Sequence, residues 1–295
     1  MNPQDRENLY RLFREHANNL GVTRCTIASL KAFIASVKEL KCPCDEFVAQ
    51  YEELIQVIKN TEPVIVPLIH LVRQFEQEMG ACGGDNMEES RNRAVRILGE
   101  KIVQIETNMG KVIEHGLNHV ADGDGIIVLS PSTVVTDILA RSKTVLGREF
   151  HVIVLQQNLV RTRQLINALS KAKIDHVVIP DYNLCHYLHN ANKQFIGAVT
   201  VTPDRKLIAP PGTSNAAFLA RSRDIKIYLF ANTLHYSHQP AERQRIYQAD
   251  EAHNDCGIRY QMTVHSHDIV DLDLIDHVIN ENGEMKNTAD SKLLK

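Results

Sequence analysis

The sequence has no tryptophan, few aromatic residues, and no apolar run of the roughly 20 residues that a membrane-spanning helix requires. It also lacks an excess of one charge. The 33 basic and 36 acidic side chains leave a formal net charge of −3, which argues against a polycationic nucleic-acid-binding protein. The polar first residues lack the apolar core of a signal peptide. We therefore expect a cytoplasmic protein without membrane association or direct nucleic-acid binding.

Two cofactor motifs are missing as well. No G-x-G-x-x-G follows a predicted strand and no G-x-x-x-x-G-K-[ST] occurs, so the sequence predicts neither a dinucleotide site nor a P-loop, and we predict no cofactor. The six cysteines are expected to be free thiols in a reducing compartment. With 295 residues, 43% of them hydrophobic, the chain is long enough for two domains and a sizeable core.

Histidine, by contrast, is abundant, with 14 residues. His115 and His119 stand one helical turn apart, a spacing that suits two ligands of one metal. However, Glu114 directly precedes His115, so the H-E-x-x-H motif is absent, and a structural metal site needs a full set of closely spaced ligands. The sequence favours surface or capping histidines and predicts no metal site; a metal-dependent protein is the weaker alternative. The other close pairs are His186/His189, His235/His238 and His265/His267.

The first 120 residues show only helical periodicity. Apolar residues recur at three- and four-residue steps, which predicts helices. Prolines and a glycine-rich stretch over 80–86 separate these helices. We predict an N-terminal helical domain over residues 1–120. Its helices are predicted over 8–20, 23–39, 46–60, 64–75 and 87–119.

From Asp122 onward, short β-branched runs alternate with helical stretches. Continuous apolar strands are typical of a sheet that is covered on both faces. The alternation predicts an α/β fold, with a doubly wound, mostly parallel Rossmann-like sheet domain over residues 121–295. Strands are predicted over 126–129, 150–155, 176–179, 195–201 and 225–230, and helices over 133–143, 160–171, 182–189, 213–221 and 269–280, with a loose tail after Gly283.

Two loops that each lead into a predicted helix carry small hydroxylated residues. They are Ser130-Pro-Ser-Thr133 and Pro210-Pro-Gly-Thr-Ser-Asn215. Ligands of open α/β sheets gather at the carboxyl ends of the strands, and free N–H groups at a helix start suit a phosphate. Plain helix capping is the commoner explanation of the first loop and explains the second almost as well, so both interpretations stay open.

Six segments of the second half carry a resemblance to a known family. The anchor is ADGDGIIVLS over 121–130, which is similar to the motif I-x-D-G-D-x-I-L-T-H. The others are FHVIVL over 150–155, IDHVVIPD over 174–181, FIGA over 195–198, Gly212-Thr213 and IKIYLF over 225–230. In order and spacing the chain resembles, over nearly its whole length, the family of the alpha, beta and delta regulatory subunits of translation initiation factor 2B. That family also contains methylthioribose-1-phosphate isomerase and ribose-1,5-bisphosphate isomerase.

The chain departs from the isomerases of that family at the reacting groups. Ser130 stands where they place a catalytic cysteine, and Val199 where they place an aspartate. Their N-K pair is replaced by Ala209 and Pro210, and their E-S/T-R-P motif by Gln156-Gln-Asn-Leu159. Moving a proton or hydride between adjacent carbons needs groups such as a thiol and a carboxylate. We therefore expect no isomerase activity of the family type.

The resemblance thus implies a non-catalytic regulatory or binding protein, a homodimer with further protein partners, that holds a phosphorylated sugar or nucleotide in a degenerate isomerase cleft. The alternative is a sugar-phosphate aldose–ketose isomerase with rewired acid–base groups near the strand ends. The residues predicted to bind the ligand are Ser130, Ser132, Thr133, Gly212, Thr213, Ser214 and Arg24. The candidate catalytic residues of the alternative are Asp181, His186, Asp204 and His235.

Overall fold

The computed structural model of the protein describes residues 21–39, 52–53, 55–60, 64–80, 87–129, 132–156, 159–246 and 248–286. The first part of this chain is helical, as the periodicity predicts. Helix α1 covers Val22–Glu39, α2 covers Val66–Gly80 and α3 covers Met87–Gly116, after which Leu117–His119 forms a 3-10 turn. Residues 52–53 and 55–59 are also helical. The predicted helix over 8–20, and residues 81–86 of the predicted loop, lie outside the described residues.

The three helices bury one shared apolar core. Leu30, Phe33 and Phe75 belong to it, and the two phenylalanine rings meet edge to face with their centroids 5.3 Å apart. Helix α3 is long enough to serve two cores. Ile105 packs among the helices, whereas Val112 and Ile113 pack against the sheet.

The second part of the chain contains strands and helices in alternation. The strands are β1 Gly125–Val128, β2 His151–Gln156, β3 Asp175–Pro180, β4 Lys193–Gly197, β5 Thr200–Val201, β6 Lys206–Ala209, β7 Lys226–Phe230, β8 Gln248–Asp255, β9 Ile258–His265, β10 Asp268–Asp271, β11 His277–Asn280 and β12 Gly283–Lys286. Seven of them form one sheet of order β12-β11-β7-β4-β1-β2-β3. All neighbours in this sheet are parallel except β11 and β12. Apolar clusters cover both faces, so the predicted doubly wound sheet is confirmed. The helices are α4 Thr133–Thr144, α5 Leu159–Lys171 and α6 Thr213–Arg221.

The predicted helix over 269–280 is wrong. These residues form most of β10, a 3-10 turn over Leu272–Leu274, and β11. Strand β10 pairs antiparallel with β6, and β11 pairs parallel with β7. Pairing with strands far away in the sequence decides this segment, which local periodicity cannot anticipate. The predicted loose tail is also wrong at its start, because β12 pairs with β11.

Two further predictions need correction. The strand over 195–201 is two strands, β4 and β5, because β5 leaves the main sheet and pairs with β6. The helix over 182–189 is a pair of 3-10 turns, Asp181–His186 and Leu188–Asn190. In this segment only Leu184 and Leu188 are fully buried, with Tyr187 partly buried against the same core, which is too little burial to stabilise an α-helix. The β8–β9 hairpin was not predicted.

No helix in the described ranges combines the length and the apolar character that crossing a bilayer requires.

One buried carboxylate ties the starts of β1 and β4 together. Asp124 is 3% exposed and accepts hydrogen bonds from the backbone N–H of Ala121 at 2.6 Å, the amide of Asn192 at 2.8 Å and the ammonium of Lys193 at 2.6 Å. Lys193 also donates to the carbonyl of His119 at 3.0 Å. The carboxylate therefore joins the turn after α3 to the two central strands.

We expect Asp124→Asn to lower the free energy of unfolding by about 3–5 kcal/mol, because it leaves the Lys193 ammonium partly buried without its counter-charge. Asp122→Asn is the matched control: Asp122 stands in the same turn, and its carboxylate accepts one exposed hydrogen bond from the Glu149 backbone at 2.6 Å. The control should lose about 1 kcal/mol or less. Urea unfolding measures both, and equal losses would contradict this account.

Candidate functional site

The strand order places a topological switch point between β1 and β4. From there the chain adds β2 and β3 on one side and β7 and β11 on the other. In open α/β sheets the crevice at the carboxyl ends of such a strand pair is the usual ligand site. Both hydroxylated loops reach it, since Ser132 and Thr213 line one cavity there. The remaining lining residues are Leu129, Phe195, Ile196, Gly197 and Pro210. We call this space the switch-point crevice.

On one side of the crevice, Ser132 is the N-cap of α4. Its hydroxyl oxygen accepts a hydrogen bond from the backbone N–H of Val135 at 3.4 Å. The same side chain lies directly on Gly197, at the end of β4. A Cβ atom built on Gly197 would lie far inside van der Waals distance of the Ser132 side chain. Ser132 therefore caps its helix and fills the crevice at once. Thr133 is the first residue of the helix and is half-buried.

On the other side, Gly212 adopts the left-handed conformation with φ +84° and starts α6. The Thr213 hydroxyl is buried and donates to the Pro210 carbonyl at 2.6 Å. The backbone N–H of Ser214 donates to the carboxylate of Asp268 at 2.9 Å. A carboxylate of the chain itself thus occupies the position at the helix start that suits an external anion.

Sequence reasoning missed Asp268, because the segment that follows it was interpreted as a helix. Its carboxylate reaches Ser214 only because β10 pairs with β6, just before the Pro210 loop. The one local signal is the pattern Asp268-Ile-Val-Asp271, which places a carboxylate at each end of a short apolar run.

The cavity left between these groups measures about 20 Å³, which is room for one water molecule. The apolar replacements lie at the same edge of the fold. Ala209 is buried at the end of β6, and the backbone N–H of Val199 donates to Ile208 at 3.1 Å. Ser130, the residue in place of the isomerase cysteine, lies outside the described residues.

Arg24 lies exposed on α1 and acts on α4 rather than lining the crevice. Burial raises the pKa of the Asp137 carboxyl on α4, and the charges of Arg141 and Arg24 oppose that rise. Arg24 is therefore close enough to influence the helix whose first turn carries Ser132 and Thr133.

The four candidate catalytic residues do not meet. No hydrogen bond or ion pair joins any two of them in the part of the chain that the structure describes. Asp181 accepts from the Tyr182 backbone at 2.8 Å, and Asp204 accepts from the Ala241 backbone at 3.2 Å. His186 is exposed on its 3-10 turn, and His235 is buried behind the end of β7.

Asp181 does line a larger cavity, of about 430 Å³, beside the crevice. Gly212 and Asn215 bring the start of α6 to its wall. Tyr182, 79% exposed, and Phe218, 57% exposed, line it as well. This cavity is open and largely apolar, which suits the packing of another surface better than acid–base chemistry. Within the described residues, no group of three or more His, Cys, Asp or Glu side chains is arranged to hold a metal ion.

Both members of the pair His235/His238 lie near a third histidine, His70. The rings of His70 on α2 and His238 stack with centroids 5.3 Å apart. His235 lies near His70 and is hydrogen-bonded through Nδ1 to the Asn232 side-chain oxygen at 2.7 Å, so that Nδ1 carries the proton. Burial lowers the pKa of His235 to about 4, and the charge of His70 adds to this. Burial likewise lowers the pKa of His70 to about 4, with His238 and Arg73 adding to the effect.

A model of the initiation factor 2 subunit family matches residues 19–287 of the chain. Among curated proteins, the delta subunit of translation initiation factor eIF2B from Dictyostelium discoideum is 20% identical over 219 residues, which are 72% of this chain and 35% of that protein. Ribose 1,5-bisphosphate isomerase from Archaeoglobus fulgidus is 23% identical over 198 residues, which are 67% of this chain and 62% of the enzyme. The chain thus spans less than two thirds of either relative.

Three solved structures share the fold. The translation initiation factor eIF-2B of Pyrococcus horikoshii matches with a TM-score of 0.80 and 18% identity, covering 98% of this chain and 99% of that one. The tetrameric eIF2B-beta2-delta2 complex of C. thermophilum gives 0.69 and 18%, covering 95% and 90%. The 5-methylthioribose 1-phosphate isomerase of P. horikoshii gives 0.73 and 14%, covering 94% and 84%. The fold expected from the resemblance is confirmed.

We expect acid to destabilise the protein through His235. Its folded-state pKa lies below its ordinary value of 6.5, so between pH 6.5 and 4 the unfolded chain binds a proton that the folded chain does not. This contribution to the free energy of unfolding is complete above pH 6.5. It is lost as the pH falls towards 4, on the order of 3 kcal/mol in all. Urea unfolding of His235→Gln at pH 7.5 and 5 should show a smaller acid loss than the unaltered protein.

His189→Gln, which removes an exposed histidine, is the control for that experiment. It should leave the pH dependence of the unaltered protein in place. An acid loss in His235→Gln equal to that of the unaltered protein would contradict the assignment.

Proposed function

The chain belongs to the initiation factor 2 subunit family, and we propose that it is a non-catalytic member, acting as a binding or regulatory subunit. The observation that carries the proposal is the occupation of the switch-point crevice by the chain's own groups. Ser132 packs on Gly197, and Asp268 satisfies the N–H of Ser214. The replacements of the reacting groups agree with it, since neither Val199 nor Ala209 has a side chain that can transfer a proton.

The ligand that we propose for the crevice is a phosphorylated sugar or nucleotide. Ser132, Thr133 and the backbone from Gly212 to Ser214 supply donors at two helix starts, which favour an anion. Arg24 adds a positive charge on the α4 side, and Ser130 belongs to the first of these loops. Binding requires that Asp268 leave Ser214 and that the loops separate, because the present cavity holds no more than a water molecule.

The second candidate function, a rewired sugar-phosphate isomerase, is favoured by a single observation. Asp181 lines the 430 Å³ cavity next to Gly212, so a carboxylate does face open space near the crevice. It has no partner acid or base among His186, Asp204 and His235 in the described residues, and for that reason we rank this function second.

We also propose that the protein is a homodimer that associates through the face carrying Tyr182 and Phe218. Large apolar side chains exposed side by side mark interaction surfaces. The tetrameric eIF2B-beta2-delta2 complex has subunits of the same fold, which supports association in this chain.

We expect the protein to convert neither ribose 1,5-bisphosphate nor 5-methylthioribose 1-phosphate to a ketose. The enzyme from A. fulgidus serves as the positive control in a coupled ketose assay with the first substrate. Turnover that Asp181→Asn abolishes would establish the isomerase in place of the binding protein.

Removing the competing carboxylate should reveal the phosphate site. We expect Asp268→Ala to raise the affinity for ribose 1,5-bisphosphate by about tenfold or more, because it frees the Ser214 N–H for a charge-assisted hydrogen bond. Asp271→Ala is the matched control. It removes a carboxylate that lies on the same strand as Asp268 but forms a surface ion pair with Lys206. Calorimetry measures both. The absence of binding in the unaltered protein and in Asp268→Ala would end the proposal for a ligand in the crevice.

Sedimentation of Phe218→Glu should show a dimer dissociation constant raised by about tenfold or more, since a buried charge replaces an apolar anchor. Val103→Glu, at an exposed apolar position on α3, should leave it unchanged. A monomeric unaltered protein would contradict the proposed association.

A further inference from the structure

A third pocket lies between the helical part and the loop after β7. It measures about 110 Å³, which is room for several water molecules and hence for a phosphoryl group with a few attached atoms. Helix α2 contributes His70 and Arg73, and the segment after β7 contributes His238, Arg243 and Arg245. None of its lining residues lines the switch-point crevice. We call it the arginine pocket.

Three of its cations have no carboxylate partner in the part of the chain that the structure describes. Lys59, at the rim, is paired with Glu76 at 2.6 Å and is therefore neutralised. Among the described residues, Arg245 donates to the side-chain oxygen of Asn60, at 3.4 Å. Neither Arg73 nor Arg243 forms an ion pair within the described residues. Three guanidinium groups around one small space create a field that favours a dianion, and their fork of donors matches phosphate oxygens.

The pocket also contains a buried acceptor without a donor. Gln244 is 4% exposed, and its amide N–H groups donate to the Ser237 hydroxyl at 2.9 Å and to the Gln239 carbonyl at 2.9 Å. These bonds hold the amide in one orientation. Its oxygen, Oε1, is buried and has no partner among the described residues. A buried unpaired acceptor is costly, so a ligand that supplies an O–H there gains a hydrogen bond that water does not already make.

We propose that the arginine pocket binds a small phosphorylated molecule with a free hydroxyl next to its phosphate. The phosphate lies among Arg73, Arg243 and Arg245, and the hydroxyl donates to Gln244 Oε1. Burial is the main cause of the low pKa of His70, and the charges of His238 and Arg73 add to it, as expected beside a cluster of cations. The small volume, about 110 Å³, favours a small molecule over the extended backbone of a nucleic acid. The site is independent of the function proposed for the crevice.

A matched pair of probes tests the hydroxyl. We expect 2-hydroxyethyl phosphate to bind the full chain about five times more tightly than ethyl phosphate, the margin of one hydrogen bond to a buried acceptor. Calorimetry gives both affinities, and the change in the phosphorus NMR signal of each probe on binding serves as a check. Equal affinities, or no binding of either probe, would overturn the proposal.

The arginines are tested by the double variant Arg73→Gln, Arg243→Gln. Both side chains are exposed, so the fold should be retained, and a thermal melt verifies this. Affinity for 2-hydroxyethyl phosphate should fall about tenfold or more. Arg223→Gln with Arg259→Gln removes two exposed arginines elsewhere and should leave it unchanged. If the control variant weakens binding as much as the pocket variant does, the loss of affinity comes from the change in net charge alone, and the proposed site is wrong.

The crevice variant separates this proposal from the proposed function. Asp268→Ala should leave the affinity for 2-hydroxyethyl phosphate within about twofold of the unaltered protein. If Asp268→Ala changes it and the double arginine variant does not, the probe binds in the crevice and the arginine pocket is not the site.

Discussion

The charge on Asp124 is the constraint on which the site depends. Its carboxylate satisfies a backbone N–H from the turn after α3, and an amide and an ammonium from two adjacent residues at the start of β4. Asp124 itself directly precedes β1, so these bonds join the start of β1 to both stretches. β1 and β4 flank the switch point. The hydrogen bonds at their amino ends fix the register of the two strands, and that register places their carboxyl ends side by side. A buried charge with all of its partners in place is rigid, because breaking any one bond leaves an unpaired polar group in the core.

At the carboxyl ends of the same strands, the polar groups of the two loops form hydrogen bonds with other groups of the chain. Ser132 caps α4, the Thr213 hydroxyl bonds to Pro210, and Asp268 takes the N–H of Ser214. The Ser132 and Thr213 hydroxyls and the Ser214 N–H are of types that bind phosphate, yet each already has an internal partner. A ligand at this place must replace bonds of similar strength and open a space that Ser132 and Gly197 close. The binding that we propose here therefore depends on the energy of rearrangement rather than on the presence of donors.

The arginine pocket shows the reverse condition. Its guanidinium groups lack carboxylate partners within the described residues, and Gln244, which lines the pocket, has a buried side-chain oxygen without a donor there. Within the described residues, an incoming anion has no carboxylate to displace from these arginines, and the one hydrogen bond at stake is the 3.4 Å contact from Arg245 to Asn60. The pocket exists because the segment after β7 folds back on α2, where Leu234 joins the core of the helices. Helical and sheet parts thus meet through an apolar contact, and the polar groups around that contact remain available.

The sequence by itself determined the class of the fold, most of its elements and the position of both loops. Periodicity and β-branched runs suffice for this, because helices α1 to α6 and strands β1 to β3 bury faces that local pattern reveals. Only the tertiary structure decided β10 and β11, because each pairs with a strand that is distant in the sequence, and with them the place of Asp268. It also decided which polar groups have hydrogen-bond partners. Nothing in the sequence distinguishes Gln244 from Thr213 in this respect. In the structure the Thr213 hydroxyl donates to Pro210, whereas Gln244 Oε1 has no partner among the described residues.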